Sequence, residues 1–187
     1  MSGNVKEPSD VAWLAALTAS YRVLINAFAS FDVESIQREL EARFEFISMD
    51  MYNLDYIYMF LAGSWAPLGN MRGWNVMSEC GAGNGIADII IDNHNEKFTI
   101  IFEFKQSSAA QQTKQEVLAL EALKEIHSQQ YYRATNEAHR ILAIGCVLGT
   151  SDITGRPRIT MRTISLAPGK TWNRDDEFTR LINQISG

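Results

Sequence analysis

The run KFTIIFEFK, residues 97–105, constrains this chain more than any other feature. It reads as a β-strand, and side chains alternate faces along a strand, so Glu103 and Lys105 point to one side while Phe102 and Phe104 point to the other. The apolar stretch TIIF runs straight into the charged pair. Burying Glu or Lys at a strand's end is costly unless each has a partner or a metal, so the polar side of this strand calls for a ligand or an ion pair.

The preceding run IADIIID reads as a second strand, and NHNE between the two makes a tight turn. Asp88 opens that second strand, after a glycine-rich turn, and an antiparallel hairpin through NHNE brings its carboxylate towards that of Glu103. Two carboxylates meeting there repel each other and raise a pKa unless a cation intervenes. Mg²⁺, with Mn²⁺ as its substitute, is the natural cation: it takes oxygen ligands and needs only one or two protein carboxylates. The carbonyl of Phe104 is a candidate further metal ligand. Glu79, at the end of the strand WNVMSE, is a candidate for a second metal or a water contact. A cation in this place would polarise a phosphodiester and activate water, with Lys105 orienting that water or stabilising charge on the phosphate.

The rest of the chain fixes the fold class. Leu14, Leu17, Tyr21, Leu24, Ile25 and Phe28 recur at helical spacing behind a cap at Ser9 or Asp10. Asp32 caps a second helix to about Ile47, with Ile36, Leu40 and Phe44 on one side, and a third spans Asp50 to Ala62, ending at Gly63. After the three strands a helical stretch runs from about Thr113 to Asn136. Its inner side carries Val117, Leu120, Leu123 and Tyr131, with Ile126 at the edge of the stripe. ILAIGCVLG and RPRITMRTI are strands and DDEFTRLINQI a closing helix. Helices, three strands, a helix, two strands and a helix indicate an α/β mixed sheet flanked by helices. The expected organisation is a tail over 1–8, a helical extension over 9–65 and a core over 66–187.

Glu79, the turn CGAGNGIA, Asp88, the strand Glu103-Phe104-Lys105 and then EALKEIHSQQYY together resemble the PD-(D/E)XK nuclease superfamily. The likeness is greatest to the branch often found behind an AAA-ATPase-like domain. It implies a restriction-endonuclease-like fold and a metal-dependent nuclease, with Asp88, Glu103 and Lys105 as the catalytic set. The branch carries a Gln-Ile and a nearby Tyr on the following helix, which makes Glu125, Gln129 and Tyr131 candidate substrate or support residues. Where the branch has Gly-Arg before the Asp, this chain has Gly85 and Ile86, and where it has Gln before Ile it has Glu125. Both changes make the site more acidic.

Composition bounds the partners. The net charge of −5 argues against a nucleic-acid ligand, but the charges are unevenly spread: residues 1–96 hold five basic and 13 acidic residues, 97–187 hold 12 and nine. The second half can therefore carry a basic face, with Lys114, Arg133, Arg140, Arg156, Arg158 and Arg162 as its members. No apolar run reaches membrane-span length and the start MSGNVKEPSD lacks a secretory pattern, so a cytoplasmic or intracellular protein with no membrane contact is expected. Cys80 and Cys146 are too few for a disulfide framework. His94, His127 and His139 share no metal-ligand spacing along the chain and are assigned to surface or core. GAGNG is a turn rather than a phosphate cradle, because a strand and not a helix follows it. Two functions stay open: a Mg²⁺-dependent nuclease acting on DNA or RNA, and an inactive module of the same fold that binds a protein or nucleic acid in a toxin or effector system. Oligomeric state is not legible.

Overall fold

The apolar and alternating runs of the second half form one sheet, β1 (Trp74–Ala82), β2 (Gly85–Asn93), β3 (Phe98–Gln106), β4 (Arg140–Thr150) and β5 (Pro157–Leu166), adjacent in that order. The computed structural model describes residues 21–44, 61, 63–65, 74–107, 111–150, 154 and 156–186. Its helices are α1 (residues 21–30), α2 (Val33–Phe44), α3 (Gln112–Ser128) and α4 (Thr171–Ser186), with residues 61 and 63–65 also helical. The strands β1, β2 and β3 form the expected antiparallel meander. β3 and β4 are parallel, which requires a crossover, and α3 provides it; β5 returns antiparallel to β4.

The alternation of β3 divides the protein into two cores. Phe98, Ile100, Phe102 and Phe104 lie with Leu24, Phe28, Ile36, Leu40, Phe44 and Trp65 under the N-terminal helices. The aromatic rings there are in direct contact, Phe28 and Trp65 edge to face at 5.5 Å and Phe102 stacked on Phe104 at 5.5 Å. Ile101 and Ile90 lie on the other face, with Leu123 and Ile126 of α3 and Phe178 and Ile182 of α4. Thr99, Glu103 and Lys105 share that second face by parity.

α2 starts at the expected cap, and the residues 45–47 expected to close it lie outside the described residues. Asp32 accepts a hydrogen bond from the Ser35 backbone N–H at 3.1 Å and another from its hydroxyl at 2.7 Å, and Ile36, Leu40 and Phe44 are buried. The helix also covers the outer edge of β5: Gln37 Nε2 donates to the Ile159 carbonyl at 2.9 Å, and the Ile159 N–H donates to Glu41 Oε1 at 3.2 Å. The expected tail over 1–8, the cap at Ser9 or Asp10, Leu14, Leu17 and nearly all of the helix from Asp50 lie outside the described residues. Residues 63–65 are themselves helical, so the stop expected at Gly63 does not occur there.

Two expectations for the helical stretch after β3 are corrected. α3 stops at Ser128, Gln130 adopts a left-handed φ of 55°, and a separate 3-10 turn covers Tyr131–Ala134. Its inner stripe is Gln115, Ala119, Ala122, Leu123 and Ile126, while Val117 is 53% exposed. The cause lies in β4, where a Cβ on Gly145 would stand 2.1 Å from the Ala119 carbonyl oxygen. The helix backbone rests directly on the strand, so small residues face it. Gln115 lies over Gly149 and bonds both the Thr150 carbonyl and the Thr160 hydroxyl at 2.9 Å.

Candidate functional site

Asp88 sits where the ladder opens on both sides. The β2–β3 pairing runs from Asn93↔Phe98 to Ile89↔Phe102 and stops, and the β1–β2 register passes from Ser78↔Ile89 to Cys80↔Ala87, skipping Glu79 and Asp88. In place of a backbone rung, Asp88 Oδ2 accepts a hydrogen bond from the Phe104 N–H at 2.7 Å. The carboxylate is thereby fixed against the end of β3. Glu79 stands opposite in a left-handed conformation, φ 46°, and is exposed; it lies within β1, which continues to Ala82, and not at the strand's end.

Glu103 is buried, with a side chain 6% exposed. One of its oxygens, Oε1, is 3.5 Å from Lys105 Nζ. The other, Oε2, is fully buried and has no hydrogen-bond partner among the described residues. Burial, then the negative charges of Asp88 and Glu125, push its pKa up to about 8 against the opposing pull of Lys105. Lys105 also contacts Glu125 Oε2. Burial would lower the Lys105 pKa, but the bond to Glu125 and the Glu103 charge outweigh it and the net direction is up.

The other expected residues are placed as follows. Glu125 belongs to the cluster as the ion partner of Lys105. The Gln129 carbonyl accepts the Asn84 N–H at 2.8 Å, and its side chain lies against Gly85, so Gln129 anchors the hairpin tip to the end of α3. Gly83, at φ 55°, allows that docking: a Cβ there would lie 2.3 Å from the same carbonyl. Tyr131 is buried beside Gly85, and its phenol is held protonated by burial and by the charges of Glu103, Glu125 and Asp88. It lies near enough to the acidic cluster for all three charges to act on it. The turn at GAGNG leads into β2, as expected of a turn rather than a phosphate cradle.

The polar oxygens converging at the end of β3 fit a hard divalent cation. An orphaned carboxylate oxygen in a buried position, with two further carboxylates raising its pKa, is the environment that oxygen-ligating ions relieve.

Sequence reasoning missed a second cluster at the opposite end of the same sheet face. Asp92, His94 and His139 bring three potential ligand atoms within 4.8 Å of one another. His94 and His139 were assigned to surface or core for lack of linear spacing, but the parallel register, Phe98↔Arg140, sets His139 beside the β2–β3 hairpin. The signal available was Asp-x-His at a hairpin turn with a histidine immediately before a buried strand. His127 is half-buried, stacked on Phe178 at 5.0 Å at the edge of the second core, where Tyr132 and Phe178 also stack on each other. Of the candidate basic face, Arg140 lies over the Phe31 ring and bonds the Ala29 carbonyl, Arg133 pairs with Asp175 at 2.8 Å, and Arg162 with Glu116 at 3.2 Å.

No curated protein matches the chain significantly. Residues 55–154, more than half of the 187, match the family model of the PD-(D/E)XK nuclease superfamily. The matched segment spans β1 to β4 with α3, and so includes Asp88, Glu103, Lys105 and Glu125. The five-stranded mixed sheet with helices on both faces is a restriction-endonuclease-like α/β fold. With sheet order, crossover helix and sequence match in agreement, the chain belongs to the PD-(D/E)XK nuclease superfamily.

Proposed function

We propose that the protein is a Mg²⁺- or Mn²⁺-dependent nuclease that hydrolyses phosphodiester bonds of DNA, with RNA as the alternative substrate. The observation that carries this reading is the buried, unpartnered Oε2 of Glu103 beside Asp88 and Lys105. Asp88 and Glu103 would hold the ion, with the Phe104 carbonyl and Glu79 as further oxygen donors. When bound, the cation supplies positive charge that polarises the phosphodiester and makes water a better nucleophile. Lys105 orients the attacking water or stabilises charge on the transferring phosphate, and Glu125 fixes its ammonium group. Asp88 is oriented by the Phe104 N–H.

Cleavage of plasmid, single-stranded DNA and RNA in Mg²⁺ or Mn²⁺ tests the reading. Wild type should cut at least one substrate, and Lys105→Ala should lose roughly 10²-fold or more in rate, the cost typical of removing a charge-stabilising donor. Equal inactivity of both proteins on all three would refute it.

One observation favours the second reading, a binding module without turnover: the Lys105 ammonium is already engaged by an acid, Glu125, where the resembling branch carries Gln. In that case calorimetric titration with Mg²⁺ should show no binding that depends on Asp88 or Glu103.

A further inference from the structure

We propose that Asp92, His94 and His139 form a second metal site, for an imidazole-preferring divalent cation of the Zn²⁺ class, separate from the Glu103 cluster. Asp92 Oδ2 is 3.0 Å from His94 Nε2, and Asp92 Oδ1 is 2.9 Å from His139 Nδ1. Zn²⁺ binds nitrogen and oxygen at about 2.0–2.1 Å, so two ligand atoms on a tetrahedral ion stand roughly 3.3 Å apart. Each imidazole nitrogen thus stands against an Asp92 oxygen at about that spacing, and one ligand atom from each of the three residues lies within 4.8 Å of the others.

The surroundings are those of a built site. The Thr99 hydroxyl donates to Asp92 Oδ1 at 2.7 Å and lies 3.1 Å from His139 Nδ1, which orients both groups. His139 is 2% exposed, and the segment that carries it is pinned by the buried Arg174, whose guanidinium donates to the carbonyls of Asn136, Glu137 and His139 at 2.7–3.1 Å. Asp92 and His94 line a cavity of about 310 Å³ with Asn75, Met77, Thr99 and Asn136. Three protein ligands leave a fourth position, and the cavity gives it room for water or a small anion. Two imidazoles and one carboxylate select a borderline ion, whereas the all-oxygen cluster around Glu103 suits Mg²⁺ or Mn²⁺. The three ligands come from the end of β2, the β2–β3 turn and the approach to β4, so the ion would clasp the hairpin to the neighbouring parallel strand.

Calorimetric titration of the full chain with Zn²⁺, alongside thermal unfolding and the visible absorption of the Co²⁺-loaded protein, tests this. Wild type should bind one equivalent of Zn²⁺ and unfold at higher temperature with it. His94→Ala should weaken that binding at least about tenfold and abolish the Co²⁺ absorption. Because His94 lies on an exposed turn, its variant should unfold like wild type without metal. Glu103→Gln should leave the Zn²⁺ component in place, so the failure of this proposal and that of the nuclease reading are separately visible. Absence of Zn²⁺ binding, binding unchanged in His94→Ala, or loss of the component in Glu103→Gln would each overturn it.

Discussion

Glu103 is buried among charged neighbours, and its titration gives a direct prediction. Its pKa stands at about 8 in the fold, against an ordinary 4.5. Between those values the folded protein holds a proton that the unfolded chain has released, so the stability contributed by this group is complete below about pH 4.5 and is lost as pH rises towards 8. Thermal unfolding in chelator should show wild type losing stability across that window and Glu103→Gln losing less. Parallel pH profiles for the two proteins would contradict the assignment. Glu125→Gln should shift the Glu103 titration downwards, because the Glu125 charge is one cause of the elevation, and NMR of the carboxyl carbon would read the shift.

Among the elements, α2 and α3 respond differently to substitution. The α2 cap is local, and Asp32→Ala should cost about 1 kcal/mol, a fall of roughly 2–4 °C in unfolding temperature for a chain of this size. α3 is held by its approach to β4. Gly145→Ala would place a methyl 2.1 Å from a helix carbonyl, so α3 must lift, and denaturant unfolding should register a loss of about 1–3 kcal/mol or more. Gly145 is also the rung partner of Glu103 in β4, so metal affinity at the Glu103 cluster should fall with stability. The same contrast explains what was legible in the sequence. The cap and apolar stripe of α2 reside within one short segment and could be read there. The inner face of α3 is chosen by glycines in a strand that follows it, and helical periodicity alone pointed to Val117 when the contact needed Ala119 and Ala122.

At the scale of the molecule, the sheet separates an aromatic core from a face that carries chemistry. Phe102→Ala should cost about 3–5 kcal/mol by emptying the ring cluster with Phe28, Trp65 and Phe104, as measured by chemical denaturation. The meander, the mixed α/β class and the convergence of Asp88 with Glu103 were legible because a tight turn joins the strands that carry them. The order of β4 and β5 was not, since a parallel pairing through a crossover leaves no mark in either strand's own sequence. The Asp92–His94–His139 cluster was hidden for the same reason: its members meet only once β4 has aligned with β3.

The parity of β3 has a consequence for folding itself. Thr99, Glu103 and Lys105 share one face and Phe98, Phe102 and Phe104 the other, so a slip of one residue in pairing would dismantle both polar clusters together and turn the phenylalanines towards α3. A cation bound at either end of the strand would select the native register by mass action, making metal supply a form of proofreading for assembly of the sheet.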